Sequence, residues 1–192
     1  MSNSKCKVSS LYNEIKATQV ACLLIQLNGG EMDYAKCIKL LYGIEREALS
    51  RWTRPVLYDR LCSMPYGQVV SQTLDRANYR THKPQSFWSK HLNTDETNHI
   101  IRVVKKCGIE QLSRAEIELI KEIYQANKLK SAAQLFDEHH NPALFPEYKD
   151  PDGSSIETDH LFLLTLLGKT KEEIAEFEAD MNELENLQAL TR

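Results

Sequence analysis

"ATQVACLLIQLNGG", residues 17–30, decides the fold, because nearly every residue from Ala17 to Leu27 is apolar and two glycines close the run. A helix with apolar side chains on almost every face is buried on most sides. Gly29 and Gly30 supply the left-handed residue that a helix C-terminus takes. This segment is therefore the expected central helix. Its longest apolar run, "VACLLIQL" from Val20 to Leu27, falls far short of the roughly 20 residues needed to span a bilayer. "MSNSKCKVSS" at the N-terminus has no apolar signal core, so the expected location is the cytoplasm.

The totals agree with a folded, water-soluble protein. A chain of 192 residues can bury about 70% of its unfolded-state surface in one core. Its 42% apolar and 27% charged residues exclude extended disorder and a membrane protein. Five cysteines (Cys6, Cys22, Cys37, Cys62, Cys107) are an odd number without a Cys-x-x-Cys pair, so neither a disulfide framework nor a zinc ribbon is indicated. Cys22 and Cys37 read as small core residues.

C-terminal to the central helix, Asp33 is placed to cap a second one. The stripe Tyr34, Ile38, Leu41, Tyr42, Leu49 and Trp52 follows three- and four-residue steps. Glu45 lies on that apolar stripe. Pro55 then forces an extended connection, and Pro65 suits the first turn of a helix whose inner face is Val70, Thr73, Leu74 and Ala77. "FWSKHL" and "NHIIRVVKK" flank the polar "NTDET" and read as a β-hairpin with a five-residue loop. Ser113 with Glu116, Ser131 with Gln134 and Thr170 with Glu173 form capping boxes. "NPALFPEYKDPDGSS" is a loop. Leu161, Leu164 and Leu167 mark a helix closed by Gly168, and Ile174, Phe177, Met181, Leu184, Leu187 and Leu190 mark the last helix. The expected fold is mainly α, of the α+β class. It is a compact helical domain with one small β-hairpin over residues 1–168 and an appended amphipathic helix over residues 169–192.

Chemistry-bearing patterns are sparse. Glu45 on an apolar stripe has a raised pKa unless it is paired, and Arg54 and Arg60 in the following connection are its expected partners. A hydrolase built on Glu45 and a histidine has no nucleophile elbow, phosphate loop or metal set behind it. His139 and His140 point about 100° apart on a helix and read as packed or capping side chains, with no metal and no cofactor expected. From Arg76 to Lys106 seven basic residues stand against two acidic ones, interleaved with Tyr79, Phe87 and Trp88. That pattern raises single-stranded nucleic-acid binding as an alternative to a solvated surface. Net charge is −3 and no DNA-reading motif is present, so nucleic acid is disfavoured. The last helix, with seven acidic residues from Thr170 onward, either folds back on its own core or is laid into a partner's groove.

Read together, "KLLYGIEREAL", "RWTRPVLYDRLCSMPYGQVVS" and "LSRAEIELIKEIYQANKLKSAAQLFDEHH" resemble the Panacea domain, the SocA-like antitoxin family. The family pattern runs K-L-L-Y-x-A-D-R-E, then R-P-I-x-G-D-R-Y-x-A-M-P-x-G-P-V, then L-S-x-x-E and a helix ending in His. Lys39, Leu40, Leu41, Tyr42, Arg46 and Glu47 match the first block. Arg54, Pro55, Asp59, Arg60, Met64, Pro65, Gly67 and Val69 match the second, and Leu112, Ser113, Glu116 and His140 match the rest. Agreement spans about Leu23 to His140. Glu45 replaces the family's Asp, Tyr58 stands where Gly is usual, and Gln68 stands where a second Pro is usual. The resemblance implies a non-enzymatic antitoxin that neutralises a separately encoded protein toxin by contact. The alternative, from the basic stretch and not from the resemblance, is a nucleic-acid-binding regulator acting as an autorepressor of its operon. A protease or chaperone and a second copy of the chain are further candidate partners. The Met-Pro-Tyr-Gly corner reads as scaffold, or else as a mount for an outward Tyr66. Expected contact residues are Tyr66, Phe87, Trp88, Phe177, Met181 and Leu184.

Overall fold

Asn13 starts the central helix α1 (Glu14–Leu27), its side chain accepting the N–H groups of Ile15 and Lys16. The computed structural model describes residues 8–78 and 85–190, so Tyr79 and His82 of the basic stretch lie outside the described residues. Ala17, Val20, Ala21, Leu24 and Ile25 are wholly buried, as an all-round apolar helix requires. Gly29 and Gly30 turn the chain at φ 89° and 103°. A short strand β1 (Glu31–Asp33) follows, and Asp33 then accepts the Lys36 N–H to cap α2 (Tyr34–Trp52). Helix α2 packs against α1 and also meets β3, α3, β5, α5 and α6, whose ranges follow.

Two three-stranded antiparallel sheets flank the helices where a single hairpin was expected. In the first, β5 (Ile100–Val103) lies between β1 and β4 (Leu92–Asp95), with Ile101 opposite Met32 and Thr94. The expected loop therefore shifts: "NTD" belongs to β4, and Asp95 accepts the N–H groups of Thr97 and Asn98 to make the turn. "FWSKH" is not a strand. It is the short helix α4 (Phe87–His91), because Ser86 caps it by accepting the Ser89 N–H, a local bond that outweighs the aromatic residues' strand preference.

The second sheet corrects the reading of Pro65. Strands β2 (Leu61–Met64) and β3 (Gly67–Val70) form a tight hairpin with Pro65-Tyr66 at its tip, and β6 (Ile156–Glu157) adds to β2. Proline at the second position and glycine at the fourth are what a type I turn takes. Helix α3 (Ser71–Ala77) begins only after β3. The remaining helices are α5 (Arg114–Asn127), α6 (Ala132–His139), α7 (His160–Leu166) and α8 (Lys171–Leu190). All three capping boxes form as the sequence predicts, and Gly168 closes α7 at φ 78°. Phe177 and Met181 of α8 join the same hydrophobic cluster as α1 and α2. The fold is mainly helical α+β with a long C-terminal helix. No described helix is long and apolar enough to cross a membrane.

Candidate functional site

The β2–β3 turn is anchored from beneath by two cationic or protonable side chains. Lys39 lies on the α2 face it shares with Tyr42 and Arg46, and is only 5% exposed. Its Nζ donates to the Tyr66 carbonyl and, at 2.9 Å, to the Gln68 carbonyl. Burial pushes the Lys39 ammonium down to about 7, and even the neutral amine keeps two N–H donors for these two carbonyls. His140, at the C-terminus of α6, places Nε2 3.1 Å from the Pro65 carbonyl and Nδ1 2.7 Å from the Phe136 carbonyl. A neutral ring donates to one of them and an imidazolium to both. Gly67 sits at φ 87°, and a Cβ there would lie 2.9 Å from both His139 Cβ and Lys39 Nζ. Only glycine fits so close an approach.

What this anchoring presents is Tyr66, 74% exposed at the tip. Its ring lies 5.9 Å from Phe136, Phe136 lies 4.1 Å from His140, and His140 lies 4.5 Å from Tyr148. Four rings from three chain segments thus line one edge of the hairpin. His139, next to this group, is buried against Phe145 at 4.1 Å, and burial pushes its imidazole down to about 2. His139 is therefore a packed neutral side chain and His140 a bridging one.

Glu45 does not pair with Arg54 or Arg60. Its Oε2 accepts the Val56 and Leu57 N–H groups at 2.7 and 2.8 Å, and Oε1 lies 3.4 Å from the Asp59 N. The connection after α2 has no strand or helix to satisfy its N–H groups, so a carboxylate does so. Complete burial raises Glu45 to about 7, against the lowering pull of those N–H bonds. Asp59 works in the same way on α3, accepting from the N–H groups of Gln72 and Thr73 and the Thr73 hydroxyl, and burial raises it to about 6. Arg60 donates to Ser71 Oγ and Arg54 to the Tyr58 hydroxyl. Tyr58, where the resembled pattern has glycine, adopts φ 55°, so the left-handed backbone is held here by a residue that strains in it. Glu45 is fully enclosed.

Arg46 points to a partner that the sequence reading missed. Its Nε donates at 2.7 Å to Glu147 Oε1, which also takes the Tyr42 hydroxyl at 2.8 Å, and its guanidinium stacks 5.1 Å over Phe145. Glu147 lies in an irregular loop where no periodicity marks it. The one available signal was its counterpart, an Arg46 on the same helix face as Lys39 and Tyr42. Met64 leads into the turn, half-buried against the core.

Three of the expected contact residues are internal. Trp88 is 1% exposed and Phe177 and Met181 are 2% exposed, because α4 packs on α1 and the first half of α8 packs on the core. Phe87 is half-buried and stacks on His91 at 4.3 Å. Leu184, at 38% exposure, stays at the surface. With Trp88 enclosed and Arg102 paired to Glu31 and Asp95, the basic stretch offers little stacking platform. Among the described residues, no three His, Cys, Asp or Glu side chains come together to hold a metal.

In comparison with known families, residues 38–144 match the family described as "Antitoxin SocA-like, Panacea domain". No curated protein and no solved structure matches the chain.

Proposed function

Because the chain belongs to the SocA-like, Panacea-domain antitoxin family, we propose that it neutralises a cognate protein toxin by direct binding and makes or breaks no bond itself. The observation that carries this reading is Tyr66, an exposed aromatic on a turn whose two flanking carbonyls are already tied down by Lys39. Binding normally loses free energy to the ordering of side chains and loops, and a turn fixed in advance avoids much of that loss. Tyrosine is among the residues that dominate binding energy in protein interfaces. Tyr148 and Phe136 extend the same aromatic edge, and Leu184 offers a second apolar contact on α8. The autorepressor alternative draws less support, since its aromatic Trp88 lies inside the fold.

The test is to express the neighbouring open reading frame alone and together with this chain. Growth arrest by the neighbour, relieved only on co-expression and accompanied by a co-purifying complex, is the expected result. A neighbour that is harmless, or whose harm this chain leaves untouched, removes the reading.

A further inference from the structure

A second place on the molecule is built to receive charge. Between β6, the start of α7 and the loop after Glu147 lies a slot of about 120 Å³ lined by Ser63, Glu147, Lys149, Glu157, Asp159 and Phe162, among others. Glu147 is 1% exposed. Its Oε1 is shared by Tyr42 and Arg46, while Oε2 is buried with no donor in reach among the described residues. Leaving a buried carboxylate oxygen unmet is costly, since the group keeps its desolvation penalty without a compensating bond.

The surroundings point to the kind of donor that would meet it. Glu147, Glu157 and Asp159 contribute three carboxylates to the lining against the ammonium of Lys149, with Arg46 behind the slot on the other oxygen of Glu147. Asp159 spends one oxygen on capping α7 through the Phe162 N–H and keeps the other. Phe162, 40% exposed, already holds a cation against its face, with Lys149 Nζ 5.1 Å from the ring centroid. Carboxylates beside an exposed aromatic face are the environment a guanidinium takes best, since its planar fork pairs with carboxylate oxygens while its face stacks on a ring.

We infer that this slot receives an arginine side chain of the partner protein, the guanidinium reaching the Glu147 carboxylate with its face against Phe162. The inference rests on the neutralisation reading for the identity of the partner. It adds that the partner's contact surface is basic, which suits an acidic chain of net charge −3 and favours rapid encounter. The slot and the aromatic edge share the segment 147–149, so one partner can engage both.

The experiment titrates the isotope-labelled full chain with N-acetyl-arginine amide and with its neutral isostere N-acetyl-citrulline amide, following the backbone amides of Lys149, Glu157, Thr158 and Asp159 by NMR. Saturable shifts with the arginine probe and none with citrulline are expected. Glu147→Gln, which keeps an acceptor for Tyr42 and Arg46, and the surface change Phe162→Ala should both lose those shifts. Both should also weaken binding of the neighbour-encoded toxin, Glu147→Gln by about thirtyfold, the low end for removing one partner of a buried charge pair. Equal shifts with the two probes, or undiminished toxin affinity in folded variants that no longer take up arginine, overturns the slot. Should the unaltered chain relieve no toxicity, neutralisation fails on its own account, and the comparison of arginine with citrulline still decides whether the slot binds.

Discussion

Removing the Glu45 side chain tests how the connection after α2 is held. In Glu45→Ala the Val56 and Leu57 N–H groups, bonded at 2.7 and 2.8 Å to one oxygen, lose their acceptor while remaining buried. At about 1–3 kcal/mol for each orphaned donor, the expected loss is about 2–6 kcal/mol, a large share of a typical domain's stability. Glu45→Gln keeps an oxygen at the same place and gives up only the long contact to Asp59, so it should cost far less at neutral pH. Its effect depends on pH. Burial raises the carboxyl from 4.5 to about 7 in the folded chain, so the folded state binds the proton more tightly than the unfolded state. The corresponding stability is fully present below pH 4.5 and is lost as pH rises through about 7. At about 1.4 kcal/mol for each pH unit between those values, the ionised group costs the folded state about 3 kcal/mol above pH 7. Urea denaturation followed by circular dichroism, from pH 4.5 to 8.5, should show the wild type losing about that much relative to Glu45→Gln. A wild-type and glutamine difference that stays flat across the range, or an alanine variant within about 1 kcal/mol of wild type at pH 4.5, where the carboxyl carries its proton, refutes the assignment.

Gly67→Ala should lose about 1–2 kcal/mol from the left-handed backbone alone, with the contact to His139 and Lys39 in addition; unchanged urea midpoints would show that the turn does not need glycine. At position 58 the order of two variants is the test. Tyr58→Gly should be more stable than Tyr58→Ala by about 1 kcal/mol, the reverse of their order in ordinary extended chain, and the reverse order on measurement would deny the strain. Tyr66→Ala should leave the unfolding free energy within about 0.5 kcal/mol yet cost about 2 kcal/mol of toxin affinity, read by titration calorimetry. Equal affinity for both chains would take Tyr66 out of the interface.

What could be read along the chain was whatever a few neighbouring residues decide. Asp33 and the three capping boxes act over three residues, and each appears in place. The all-round apolar character of Ala17–Leu27 marks the central helix without reference to anything distant. Pro65 was misplaced because the first turn of a helix and the second position of a tight turn ask the same of proline, and the choice is made by Gly67 meeting α6, some 70 residues later. The meeting of Lys39, the turn and His140 joins segments far apart in sequence, so each residue stood out in a motif without revealing its companions. Glu45 shows the opposite error. Its burial was legible from the stripe, but its partners are backbone groups, which no residue-type pattern displays. Phe177 and Met181 looked like contact residues for the same reason they are core: an apolar stripe does not say which surface covers it. Trp88 was expected on a hairpin and lies instead on a short helix packed against α1.

Lys39 has a further effect through where its ammonium sits. The Gln68 carbonyl it occupies belongs to β3, the Tyr66 carbonyl to the turn just before it, and acceptors along this flank are the groups a foreign strand would need in order to extend the sheet on that side. One flank of the hairpin is in this way closed to templated growth, and only the two-residue β6 side stays open. Replacing that single lysine by a residue without a donor would therefore expose the second flank of this sheet, whereas loss of its charge alone would leave both carbonyls occupied.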